Sequence, residues 1–173
     1  VLALYASACF GVGKNEEAIR VYRKMIEQAP HDPALRVSLA HVHNAMGDRE
    51  SAVKLFHEAY HLQPEFGDAY WSLANTKSYR FSEPEIMKMS QGVENRATPQ
   101  LDRIQMHFAL GKAFEDRKDF ATSFDHYAQG NALKREKSHH SAEQLDIRVS
   151  TQIEVCTKKL FDRLEGAGHQ ATD

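Results

Sequence analysis

The feature that most constrains this chain is a spacing of 34 residues. Pro30 and Pro64 stand that far apart, as do Gly13 and Gly47, Ala18 and Ala52, and Tyr22 and Phe56. Ala6, Ala40 and Ala74 carry the same spacing across three units. A fixed period of this kind means a stack of like units, each burying its apolar face against the next. Helix punctuation sets the unit boundaries. Asp32-Pro33 is an N-cap followed by proline at the first helical position, where its missing N–H costs nothing. Thr98-Pro99 reads as the same device, and Asn15, Asp48 and Asp119 read as caps of second helices. Ser82-Glu83-Pro84-Glu85 is a capping box with proline inside the first turn. The pattern predicts helices near 2–12, 16–29, 34–46, 49–62, 67–79, 83–94, 99–117, 119–137 and 142–165. No segment alternates with period two, so no sheet is expected and the fold class is all-α.

The period and residue types are those of the tetratricopeptide repeat, W-x2-L-G-x2-Y, then A-x3-F, then P. The second unit reads Arg36-x2-Leu39-Ala40-x2-His43, then Ala52-x3-Phe56, then Pro64. The fourth reads His107-x2-Leu110-Gly111-x2-Phe114, then Ser123-x3-Tyr127. Small residues stand where the two helices of a unit approach, and the aromatic fills the gap to the next unit. The expected architecture is a right-handed superhelix of helix-turn-helix repeats with a long C-terminal capping helix. Its parts are a partial unit over 1–31, units over 32–65, 66–98 and 99–138, a capping helix over 139–165 and a linker over 166–173. The third unit is irregular. Ala74 to Gly111 is 37 residues, three more than the period, and the second helix of this unit lacks A-x3-F.

Composition excludes several classes. Lys plus Arg is 22 against 24 Asp plus Glu, so nothing drives the chain toward nucleic acid or an anionic membrane. No apolar run is long enough to span a bilayer. Cys9 and Cys156 match no metal or redox spacing, and two lone thiols fit a reducing, cytoplasmic setting. Both fall on apolar stripes and are expected buried and inert. No glycine-rich loop with Lys and Ser/Thr lies between a strand and a helix. No cofactor and no metal are expected, and this fragment is not expected to be an enzyme.

A narrower resemblance lies in the third and fourth units. Gly67-Asp68-Ala69-Tyr70-Trp71-Ser72-Leu73-Ala74-Asn75 continues through Lys77 to Tyr79-Arg80-Phe81-Ser82. His107-Phe108-Ala109-Leu110-Gly111-Lys112-Ala113 is followed by Glu115-Asp116 and Tyr127-Ala128-Gln129-Gly130-Asn131. Over about residues 30 to 165 the chain resembles the repeat region of bacterial tetratricopeptide-repeat sulfotransferases. The resemblance implies a downstream sulfotransferase domain in cis, using 3′-phosphoadenosine 5′-phosphosulfate, with its first strand just after Asp173.

His57-Glu58-Ala59-Tyr60-His61 matches H-E-x-x-H, the helical zinc signature of many metallopeptidases. Two imidazoles at i and i+4 share a helix face and a metal can bridge them. The repeat explains the same residues without a metal. Ala52, Phe56 and Ala59 form the buried stripe, and the two histidines fall on its solvent flank. No third histidine follows, since Gly67 stands at that spacing. His139-His140, beside Lys134, Arg135 and Lys137, reads as a solvated basic turn or as a phosphate contact.

In repeat arrays of this family the first helices line a concave groove that binds a peptide or a partner's helix. The groove positions here are Val37, His41 and Asn44, then Trp71, Asn75 and Ser78, then Phe108, Lys112 and Glu115. Asn44 and Asn75 suit a peptide backbone, and Trp71 with Phe108 suits its side chains. The expected function is a protein-interaction scaffold. The alternatives are a stand-alone adaptor with no enzyme attached, and a zinc peptidase. In the last helix, Leu145, Val149, Ile153, Cys156, Leu160 and Leu164 form one apolar stripe, expected to cover the open end of the fourth unit. Ile147 and Phe161 lie on the other face. They form a candidate interface, with the downstream domain or with a second copy in a homodimer.

Overall fold

A computed structural model describes residues 1–76, 78–137 and 142–167. Among them there are ten helices and no strand. The chain divides into two compact units, Val1–Lys134 and Arg135–Asp173.

The first unit holds the repeats. Its helices are α1 (Leu2–Gly11), α2 (Asn15–Gln28), α3 (Pro33–Ala45), α4 (Arg49–Leu62), α5 (Gly67–Asn75), α6 (Glu83–Glu94), α7 (Gln100–Asp116) and α8 (Phe120–Lys137), whose last residues pass into the second unit. Each of α1 to α4 packs on the next, and α4 packs on α5. The leading helices also meet directly, α3 on α5 and α5 on α7. Two apolar clusters result. Ala6, Cys9, Ala18 and Tyr22 meet Leu35, Leu39 and Val42 in the first. The second runs from Val37, Ala40 and Phe56 through Tyr70 and Leu73 to Met89, Met106 and Leu110. The periodic small residues Ala6, Ala18, Ala40, Ala52 and Ala59 are fully buried, as helix contact requires.

The turns follow the sequence in most places. Asp32 Oδ1 accepts from Ala34 N at 2.9 Å, and Asp48 Oδ1 from Ser51 N at 3.1 Å. Asp119 Oδ1 accepts from Thr122 N at 3.2 Å. Two expected caps are absent. Asn15 is the first residue of α2 and Lys14 precedes it as N-cap, without a side-chain bond. Thr98 does not cap α7, which begins at Gln100, and its buried Oγ1 has no partner. Gly13 and Gly47 turn the chain between paired helices with φ of 77° and 83°. At the same register before α8 stands Lys118, held left-handed at φ 63° without glycine's freedom.

The irregular third unit has a simple cause. α5 ends at Asn75, not at 79, because Thr76 leaves the helix and its Oγ1 donates to the Leu73 carbonyl. Beyond Thr76, whose carbonyl accepts from Tyr79 N at 2.8 Å, the connection buries Phe81 and half-buries Tyr79. α6 begins at Glu83, 34 residues after α4 begins at Arg49, so the start of the helix keeps the period. Within it Met89 and Val93, both buried and four residues apart, stand 37 residues after Ala52 and Phe56. The A-x3-F pair is therefore replaced, not missing.

The second unit contains α9 (Ala142–Val155) and α10 (Lys158–Arg163), where the sequence predicts one helix over 142–165. Thr157 breaks it. Its extended backbone stops α9, and its Oγ1 accepts from Leu160 N at 3.3 Å as the N-cap of α10. Cys156 is exposed, contrary to the buried thiol expected of it, whereas Cys9 is buried.

Candidate functional site

The candidate groove helices are α3, α5 and α7. Trp71 is half-buried on the second apolar cluster, with its ring centroid 5.4 Å from that of Phe108 and tilted by 49°. Phe108 lies 6.3 Å from Tyr127 of α8, so three aromatic rings run in series across the last two units. Val37, at the equivalent register on α3, is 3% exposed and belongs to the core. A valine reaches less far from its helix than tryptophan or phenylalanine, and its neighbours close over it. His41 is exposed, with Nε2 3.4 Å from Ser72 Oγ and its ring edge-on to Phe56. Asn44 and Asn75 are exposed on their helices. Ser78 is exposed too, but it lies beyond the end of α5 and so off the helical face assigned to it. On α7, Lys112 pairs with Asp116, which is also 3.3 Å from Arg80 Nη1. Glu115 accepts from the Tyr127 hydroxyl at 3.1 Å. Burial and the Glu115 charge push that phenol up to about 12.

The H-E-x-x-H histidines are not aimed at a common point. His61 Nδ1 donates to the His57 carbonyl at 2.6 Å, and its ring stacks on Tyr60. His57 Nε2 lies 2.8 Å from the Tyr79 hydroxyl. That hydroxyl spends its proton on Glu85, so His57 Nε2–H donates to it. Burial lowers the pKa of His57, against the opposing pull of the Glu85 charge. Among the described residues no three His, Cys, Asp or Glu side chains come together as metal ligands. His57 is thus tied into a polar core and is not free on a solvent flank. His139 and His140 lie outside the described residues.

That polar core is the feature sequence reasoning missed. Glu85 is buried, and its carboxylate accepts from Tyr60 Oη at 3.1 Å, Tyr79 Oη, Ser82 N at 2.8 Å and Ser82 Oγ at 2.7 Å. Burial alone would raise its pKa. The bonds from Tyr79, Ser82 and Tyr60 outweigh burial and hold it below the ordinary carboxylate value. The capping box marks Glu85 as an N-terminal helix residue, but nothing local links it to Tyr60, 25 residues away. A second pair joins α7 to α8: His107 Nδ1 lies 3.1 Å from His126 Nδ1. Burial, with the neighbouring charges of His126 and Arg103, lowers His107 to about 4. In the second unit, Ile147 and Phe161 are exposed.

Comparison with known proteins agrees with the repeat. Residues 10–76 match the tetratricopeptide repeat family. Together with the helix packing, this gives an all-α fold of the tetratricopeptide-repeat superhelix type. The crystal structure of MamA superposes with a TM-score of 0.55 at 15% identity, covering 80% of each chain. A second crystal structure of MamA protein gives 0.53 at 16% identity, over 81% of this chain and 76% of that one. At these identities the likeness is one of fold. An uncharacterized protein of Aquifex aeolicus (strain VF5) is 25% identical over 156 residues, which are 90% of this chain. The chain spans only 20% of that relative's length. No described helix is long and apolar enough to cross a membrane.

Proposed function

We propose that the chain is a binding scaffold that takes a peptide or protein partner against α3, α5 and α7. The observation that carries this reading is the Trp71–Phe108 pair, two half-buried rings 5.4 Å apart on adjacent leading helices. Large aromatic side chains with one face packed and one face open are the anchors that interfaces favour. The exposed amides of Asn44 on α3 and Asn75 on α5, with the imidazole of His41 on α3, suit a peptide backbone. Lys112 and Glu115 add one charge of each sign, so the groove favours neither an acidic nor a basic tail. Val37 plays no part, because it is buried, and Ser78 joins from the connection and not from the helix. Peptide-display selection on the intact chain, repeated on a Trp71→Ala/Phe108→Ala variant, tests this. Enriched sequences should lose binding on the variant. Equal enrichment on both would put the binding surface elsewhere.

The sulfotransferase resemblance of residues 67–75 and 107–116 supports a second, finer reading, in which the scaffold is the non-catalytic region of such an enzyme. The length of the Aquifex relative fits a chain with room for further domains. On this reading Ile147 and Phe161 meet the adjoining domain in cis. The coding sequence after Asp173 decides it: a strand followed by a phosphate-binding loop is expected, and a further repeat in its place would retire the idea.

A further inference from the structure

α8 lies close on α7 where Gly130 faces His107 and Phe108. A Cβ on that glycine would stand 3.2 Å from His107 Cβ and 3.3 Å from Phe108 Cε1. Two contacts sit side by side at this junction. His107 Nδ1 faces His126 Nδ1 at 3.1 Å. The next residue on each helix, Phe108 and Tyr127, meets its counterpart with ring centroids 6.3 Å apart. His107 is 3% exposed, and the His126 ring stacks on Phe114 with centroids 5.5 Å apart. The histidine pair therefore holds the same stretch of α8 that brings Tyr127 to Phe108.

The bond between the histidines tolerates one proton and not two. Between neutral rings, one Nδ1–H donates and the other Nδ1 accepts with its lone pair. A first proton adds at Nε2 of the donor ring and leaves that bond in place. A second can add only at the accepting Nδ1. It turns both facing nitrogens into donors and sets two cations against each other in a buried place. The charges around the pair decide where this happens. On α7, Arg103 disfavours a cation at His107, and on α8, Asp125 favours one at His126. From α6, Gly92 meets Met106 and the Val93 carbonyl accepts from Arg103 Nε at 3.0 Å. From α5, Asp68 accepts from Gln105 at 3.4 Å. Burial lowers both imidazoles below the ordinary histidine value, His107 to about 4. Closure of the junction is thus at full strength above about 6.5 and weakens as pH falls from there through the folded values.

We propose that His107 and His126 form an acid-sensitive latch between α7 and α8 that controls the aromatic groove: the second proton opens the latch, Tyr127 leaves Phe108 and the bound partner is released. The release step rests on Trp71 and Phe108 being the binding anchors. The latch itself rests only on the facing nitrogens and on the ring contact beside them. Histidine is the side chain whose charge changes in this range, and a junction that opens while the rest of the array stays folded is a local two-state element.

Proton NMR of the 173-residue chain from about pH 7.5 to about pH 4 tests the latch without any ligand. The cross-relaxation between the Phe108 and Tyr127 rings should vanish on acidification while that between Trp71 and Phe108 persists. In His126→Asn the amide stands in the place of Nδ1 and still accepts from His107, but the second proton has no site. This variant should keep both ring contacts in acid. The affinity of a display-selected peptide should fall at least about tenfold in acid for the parent and stay level for the variant. If His126→Asn fails to fold, the imidazole signals of the parent replace it: the ring contact should be lost with the midpoint of the second histidine to titrate. A Phe108–Tyr127 contact that survives acid, or is lost equally in His126→Asn or at a pH where neither ring titrates, would overturn the latch. Level peptide affinity despite a lost contact would overturn its control of the groove. A chain that shows the latch but binds no peptide at Trp71 and Phe108 would overturn the groove reading, and the release step with it, while the latch stands.

Discussion

Gly111 lies directly beneath the ring of Tyr127: a Cβ on Gly111 would stand 2.7 Å from Cε1 and 2.8 Å from Cδ1 of the tyrosine. The two helices approach closely here, and Ser123 Oγ of α8 also donates to the Gly111 carbonyl at 2.8 Å. In the second unit the same pair is Ala40 and Phe56, where the packing admits a methyl group. Gly111→Val should therefore destabilise the chain by roughly 1–3 kcal/mol through overpacking, despite valine's better helix propensity. Urea denaturation checks it, and an unchanged midpoint would mean that the ring gives way freely.

Lys118 predicts the opposite sign. It holds the left-handed turn that Gly13 and Gly47 hold in the first two units, and a non-glycine residue pays for that backbone. Lys118→Gly relieves the strain and loses some unfolded-state restriction, for a net gain of roughly 0.5–1 kcal/mol. The variant should melt at a higher temperature than the parent. A lower melting temperature would show that the lysine side chain contributes something the turn alone does not.

Glu85 sets the acid response. Its folded pKa lies below the unfolded value, so its contribution is fully present above the ordinary glutamate pKa of about 4.3 and is lost as pH falls through the folded value. Glu85→Gln turns one acceptor into a donor facing donors and should cost roughly 1–3 kcal/mol at neutral pH. It should also flatten the loss of stability below the unfolded pKa. Denaturation curves on both proteins at neutral and acid pH test this. Parallel curves would mean that another carboxylate dominates.

Much of the fold is legible in the sequence because the repeat speaks three times over. Spacing, capping and small residues agree at Asp32-Pro33, Asp48 and Ala40, and α3, α4 and α6 fall where those signals put them. What stays hidden depends on contacts far apart in sequence or on a break the pattern runs through. Met89 and Val93 are invisible as a core pair because they stand 37 residues after Ala52 and Phe56, off the 34-residue period. The apolar stripe of the last helix is continuous through Thr157, so periodicity alone carries the helix past its cap. The groove was only partly readable. A register names which residues share a face, but side-chain length decides that Val37 is covered while Trp71 keeps a face open. The Glu85 cluster was unreadable, since it joins Tyr60, Tyr79 and Ser82 from three elements.

Trp71 is the chain's single tryptophan, so its fluorescence reports on the candidate groove alone. A titration of a display-selected peptide, followed by Trp71 emission and repeated on Phe108→Ala, tests the scaffold reading most directly. The emission should shift on saturation, and the variant should bind roughly 30-fold more weakly, the equivalent of about 2 kcal/mol for an aromatic anchor. Half-burial also sets the cost of Trp71→Ala below the roughly 3–5 kcal/mol of a core tryptophan. A peptide that binds with no change in Trp71 emission, and equally well to Phe108→Ala, would contradict the account.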